Sequence, residues 1–139
     1  MKAQPIAYWI TTGLLGFVFA FGAFGDLARI PQVLEGMSHL GYPLYFATIL
    51  GVWKALGAAA LLAPRLPLIK EWAYAGMFFD LSGAAISHAS LGDPLDKVLV
   101  PVVLLAMLVA SWALRPATRR LPGTSVQLAQ TREPSLSHA

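Results

Sequence analysis

Apolar residues fill most of this chain in four long runs, and the breaks between the runs are short and polar. The first run covers residues 5–25, the second 43–63, the third 71–90 and the fourth 97–114. Each is long enough as a helix to cross a hydrocarbon core of about 30 Å. A cleaved signal peptide is a competing reading of the first run, because Lys2 precedes it. The run is too long for the 7–15 residue core of such a peptide, and three similar stretches follow. Between the first two runs, Pro31–Leu40 places Val33, Leu34, Met37 and Leu40 on one side of a helix and Gln32, Glu35 and Ser38 mostly elsewhere. Pro31 suits its start and Gly41 its end, which predicts a short amphipathic helix lying in the membrane interface, with a plain loop as the alternative. Asp26 is expected to end the first helix. Pro101 is expected in the first turn or so of the fourth, where a missing backbone donor costs little. Gly13, Gly16, Ala20 and Ala23 recur at a spacing that suits close helix approach. The pattern therefore predicts an all-α fold. It is an integral membrane four-helix bundle over residues 1–115, followed by a disordered cytoplasmic tail over 116–139.

The second and third runs each carry one charge near the middle, Lys54 and Asp80. Lys54 lies ten residues before Pro64, and Asp80 lies ten residues after Lys70, so the two flank the basic turn Pro64–Lys70 symmetrically. In an antiparallel hairpin both charges reach the same depth, roughly 15 Å from the turn. At a bilayer midplane an isolated charge is costly, and a partner of opposite sign relieves the cost. The spacing thus predicts that Lys54 faces Asp80, with Trp53 alongside.

Composition agrees with a bilayer as solvent. Charged residues make up 12% of the chain, about half the roughly 25% of soluble proteins. With no cysteine, the chain offers no disulfide, thiol nucleophile or thiolate metal site. The net charge of +3 sits at the helix ends and in the tail, which is a topology signal rather than a nucleic-acid footprint. Lys2, Arg65, Lys70, Arg115, Arg119, Arg120 and Arg132 fall on one side of the predicted bundle, and only Arg29 and Lys97 on the other. Positive charge marks the cytoplasmic side, so both termini are expected there, in a bacterial cytoplasmic (inner) membrane. Tyr8, Trp9, Trp72, Tyr74 and Trp112 would line the inner interface, and Tyr42 and Tyr45 the outer one.

Several short stretches carry a resemblance. They are Tyr8-Trp9 with Thr12-Gly13-Leu14, Leu40-Gly41-Tyr42-Pro43, Gly51-Val52-Trp53-Lys54-Ala55-Leu56-Gly57, Lys70-Glu71-Trp72-Ala73-Tyr74-Ala75-Gly76, Phe79-Asp80-Leu81-Ser82-Gly83-Ala84, and Ser87-His88 with Gly92-Asp93. Their order and spacing, from about Tyr8 to Arg115, closely resemble the DoxX-like family of small bacterial four-helix membrane proteins. The resemblance implies a four-helix membrane bundle. It implies less about activity, since some members belong to membrane oxidoreductase systems, including a thiosulfate:quinone oxidoreductase, and others look like assembly or chaperone factors. With no cysteine here, any sulfur relay would reside in a partner.

Two sets of residues could carry chemistry. Lys54 and Asp80 form either a polar site for a head group or a proton, or a structural ion pair that fixes helix register. His88 and Asp26, near the outer ends of their runs, could share a hydrogen bond and extend a line Lys54, Asp80, His88, Asp26 to the outer surface; the alternative is ordinary interfacial polarity. Glu71 is explained by the dipole of the helix it begins. One histidine with scattered carboxylates lacks metal-ligand spacing, and no metal is expected. The leading expectation is a non-catalytic component or assembly partner of a membrane complex, in contact with the lipid bilayer and a membrane or redox partner protein. The alternatives are a quinone-linked oxidoreductase subunit with its site at Lys54 and Asp80, or a small-molecule binder or transporter. No cofactor is predicted, with quinone entering only through the second reading, and the oligomeric state stays open.

Overall fold

The computed structural model describes residues 3–122 and is all helical there. Five helices follow one another: α1 (Ala3–Ala28), α2 (Pro31–Leu40), α3 (Leu44–Leu62), α4 (Pro67–Ser90) and α5 (Leu95–Ala113), and a 3₁₀ turn at Ala117–Arg119 closes the series. By length and composition α1, α3 and α5 are apolar enough to cross a membrane. α4, the remaining expected span, matches them in length but is more polar.

The four long helices form a closed ring of neighbours, in which α1 and α4 each pack on both α3 and α5. Cross-helix contacts set the register. A Cβ at Gly16 would sit 3.1 Å from Leu62 and one at Gly51 3.0 Å from Asp26, so α1 and α3 run antiparallel. α4 runs antiparallel to α3, with Met77 against Gly57, and to α5, with Tyr74 bonded to Ser111. On α1, Tyr8, Thr12, Leu15, Phe19, Ala23 and Asp26 recur every three or four residues and make up most of its buried face. The core joins Leu15 and Phe19 to Ala58, Leu61, Tyr74, Met77, Leu81 and Leu108.

Polarity is inverted relative to a water-soluble protein. Thr12, Asp26, Lys70, Ser111 and Arg115 are buried, whereas Phe79 is 71% exposed and Trp72 70%. Water would penalise that arrangement, and a hydrocarbon solvent favours it.

Several boundaries differ from the expectation. α1 continues past Asp26 to Ala28, so Asp26 lies inside the helix and is buried. The second turn is shorter than Pro64–Lys70, because Pro67 opens α4 and Lys70 lies within its first turn. A proline at the first helical position lacks only a donor that would be orphaned anyway. Arg65 and Leu66 adopt left-handed conformations to make this tight reversal. Pro101 lies seven residues into α5, past its first turn, and leaves the Lys97 carbonyl without its helical donor. Gly13 and Ala20 face outward, while Gly16 and Ala23 pack. The close approach of α1 to α3 rests on Gly16 at one end and on Gly51 at the other, where a Cβ would meet Leu27 Cγ at 2.8 Å.

The amphipathic helix α2 has the expected bounds. Pro31 starts it, and Gly41 ends it in the left-handed conformation at φ 74°. Of the expected tail, the segment up to Pro122 is described, and Arg119 docks there. Its guanidinium donates to Tyr8 Oη at 3.2 Å and to the Leu61 carbonyl at 3.3 Å, and it stacks 4.5 Å from the Trp9 ring centroid. The rest of the expected tail lies outside the described residues.

Candidate functional site

The charged groups of α1, α3 and α4 meet in the middle of the ring. Lys54 leaves α3 beside Gly22, where a Cβ would lie 3.6 Å from its stem. Its ammonium donates to Asp26 Oδ2 at 2.9 Å. The lysine side chain is 22% exposed and the aspartate 6%. The expected partner, Asp80, is not the one Lys54 takes. Lys54 and Asp80 do lie level in the α3–α4 register, as the Gly57–Met77 contact places them. Direction decides the outcome: the Lys54 side chain runs alongside Gly22 toward α1 and ends on Asp26. Asp26 is therefore joined to Lys54 and not to His88.

Asp80 is half-buried on α4 and has no hydrogen-bond or ion-pair partner among the described residues. It lies with Lys54 at the junction of two cavities. The larger, of about 910 Å³, runs from this junction toward α2 and the start of α5, and includes Glu35, His39, Tyr42, His88, Asp96 and Lys97 in its wall. The smaller, of about 660 Å³, follows the groove between α3 and α4 past Trp53, Leu56, Ile69 and Trp72. Phe19, Phe46, Leu50 and Phe79 border both. Volumes in this range hold a drug-sized ligand. Trp53 is 67% exposed, so it is a groove wall open to the surroundings and not a buried escort of Lys54.

His88 belongs to a second cluster at the far end of the larger cavity. Its Nδ1 donates to Asp93 Oδ2 at 2.6 Å, while His39 Nε2 donates to Asp93 Oδ1 at 2.7 Å. A carboxylate only accepts, so each ring places its proton on the nitrogen facing Asp93. Tyr42 Oη lies 2.7 Å from Ser87 Oγ beside them. These contacts tie α2 and its C-terminal link to α4 and the α4–α5 turn. The carboxyl of Asp93 is held below the usual carboxylate range, chiefly by the His88 hydrogen bond and further by His39, against an opposing cost of desolvation. The two rings cover it locally, although it sits at the rim of the molecule. The expected line of four groups thus divides into Asp26, Lys54 and Asp80 at the junction, and His88 with Asp93 and His39 at the rim.

The opposite end of the ring holds a buried network that the sequence reading missed. Ser111 Oγ is 2.7 Å from Thr12 Oγ1 and 2.8 Å from Tyr74 Oη, joining α5 to α1 and α4. Glu71 accepts from Arg115 and, at 3.0 Å, from Trp112 Nε1, so it clamps α4 to α5 as well as facing its helix dipole. Arg115 lies 5.0 Å from the Tyr74 ring centroid. Lys70 Nζ donates to the carbonyls of Ala60, Leu61 and Ala63 and so caps the C-terminus of α3. The available signal was a hydroxyl inside each of two otherwise apolar runs, Thr12 and Ser111. Every polar atom here is matched within the protein, which makes it a structural clasp.

Among the described residues, no cluster of three or more His, Cys, Asp or Glu side chains has a geometry that could hold a metal ion. The chemistry available at the junction is electrostatic: an ammonium matched by one carboxylate, with a second carboxylate open to the cavity. Compared with known proteins, residues 10–111 match the family model described as the DoxX-like family. No curated protein matches the chain, and no solved structure does.

Proposed function

Since this chain belongs to the DoxX-like family, and three of its helices are apolar enough for a bilayer, we propose that it is a four-span protein of the bacterial cytoplasmic membrane that holds a small amphiphilic molecule in its interior. α4 supplies the fourth span. Its 24 residues reach about 36 Å at 1.5 Å per residue. Asp80 is turned toward the cavities, while Phe78 and Ile86 are exposed to the apolar surroundings. The distribution of Lys and Arg supports both termini on the cytoplasmic side.

The observation that carries the binding role is Asp80, a carboxylate without a protein partner where two cavities join. Its oxygens are open to the cavities and not sealed in the core, so a bound group can reach them, and in apolar surroundings a charge without a partner is costly. The apolar groove past Trp53 and Trp72 supplies room for the hydrophobic part of the same ligand. At the junction Asp26, Lys54 and Asp80 act through charge and the cavities through shape, the profile of a non-catalytic binding component of a membrane system. A quinone-linked oxidoreductase subunit is the second reading: a quinone head would sit at Lys54 and Asp80, with the electron carrier in a partner.

Co-purification from native membranes in lipid particles tests the proposal. Wild type is compared with Asp80→Asn, and retained molecules are identified by mass spectrometry. A small molecule retained by wild type and lost in Asp80→Asn is the expected outcome, and a quinone in that position selects the second reading. A partner protein retained by both, with no small molecule in either, would make this chain an assembly component and overturn the binding role.

A further inference from the structure

The charges around the junction restrict which ligand it can take. Lys54 is already neutralised by Asp26 at 2.9 Å, so Asp80 stands beside it as an unmatched carboxylate. Farther along the larger cavity are Glu35 and Asp96, with Lys97 as their counter-charge, and His39 and His88, which are both engaged by Asp93. The wall therefore carries a surplus of negative groups. Three aromatic rings, Phe19, Phe46 and Phe79, border both cavities at the junction. Aromatic faces attract cations, more strongly when water is excluded. A cation also relieves the cost of an ionised carboxylate in apolar surroundings, whereas an anionic head group would add to it.

Building on the ligand-holding role proposed above, we infer that the occupant is a lipophilic cation, such as a quaternary ammonium, a phosphonium or a protonated amine carrying bulky apolar groups. Its charge rests between Asp80 and the phenylalanine rings, and its apolar part lies in the groove between α3 and α4.

The test uses two ions of nearly the same shape and opposite charge, tetraphenylphosphonium and tetraphenylborate, together with the neutral probe decylubiquinone. Each is titrated onto the full chain in lipid nanodiscs, with protein-free discs subtracted. Saturable phosphonium binding is expected, with no saturable borate binding. Asp80→Asn weakens phosphonium binding by about tenfold or more, and Asp80→Glu retains it. The comparison of the two ions on wild type is decisive even if a variant fails to fold. Saturable borate binding, or a neutral probe that binds where phosphonium does not, overturns the charge assignment and leaves the cavity a ligand site. So does phosphonium affinity equal in wild type and a folded Asp80→Asn. Binding of none of the three probes overturns this inference, and the mass-spectrometric comparison then decides separately whether the cavity holds any ligand.

Discussion

Lys54 and Asp26 are worth more as a pair than either is worth alone. Replacing the lysine leaves a carboxylate that is nearly closed off from solvent and has lost its ammonium. Breaking a buried pair from one side costs about 3–5 kcal/mol, whereas removing both charges can be close to neutral. Lys54→Met is therefore expected to lower unfolding free energy by about that amount, and Lys54→Met with Asp26→Leu to recover most of it, measured by denaturant titration in mixed micelles. Asp80→Asn removes no partner and is expected to unfold close to wild type, which makes it the cleaner probe of binding. The sequence reading identified each of these groups, because charges in apolar runs are conspicuous. The pairing expected from spacing, Lys54 with Asp80 and His88 with Asp26, differs from the one observed. Spacing from a turn gives the depth of a residue along its helix, and the side chain's direction around the axis depends on a third helix. Lys54 runs past Gly22 to reach Asp26 on α1, and nothing local to the hairpin reports that.

At the scale of elements, α2 is the piece with the least packing. It buries no residue, and its C-terminal end is held to the α4–α5 turn by His39 on Asp93, with Tyr42 on Ser87 beside it. The carboxyl of Asp93 titrates below the usual range when folded. A carboxyl of that kind contributes stability at pH above its unfolded value, near 3.9, and loses the contribution as pH falls through the lower folded value. The protection of α2 amides, taken relative to the unfolded chain at each pH, is thus expected to hold from neutrality down to about pH 4 and to fall in stronger acid, read by hydrogen–deuterium exchange. Asp93→Asn should speed exchange already at neutral pH while sparing α1 and α3. The limits of α2 were legible because Pro31 and Gly41 punctuate it. Its anchorage was not, since His39 and Asp93 are 54 positions apart. The start of α4 was misjudged for a related reason: Pro64 and Pro67 both mark a turn, and only backbone geometry shows that the second opens the helix.

For the whole molecule, the inverted polarity and the closed ring of long helices set what can be tested by topology. Four spans with both termini in the cytoplasm predict that a green fluorescent protein fused after Ala139 is fluorescent and that alkaline phosphatase in the same place is inactive. A tag in the link between α1 and α2 should be labelled from outside by an impermeant reagent. The reverse pattern would mean an odd number of crossings or an inverted chain. All-helical architecture and family were readable because every long run is apolar. The clasp of Thr12, Tyr74 and Ser111 was hidden, since single hydroxyls in such runs look incidental until three helices converge on them.

Two of the basic residues on which the proposed orientation rests are not free once the chain has folded. Lys70 is fully buried and bound to the end of α3, and Arg115 is closed in against Tyr74 and Glu71. Machinery that sorts segments by charge can read these two only while the chain is still emerging. On the proposed topology each would serve first as an address during insertion and afterwards as mortar, so its two duties would be separated in time, and a substitution there would act on biogenesis and on the finished protein at once.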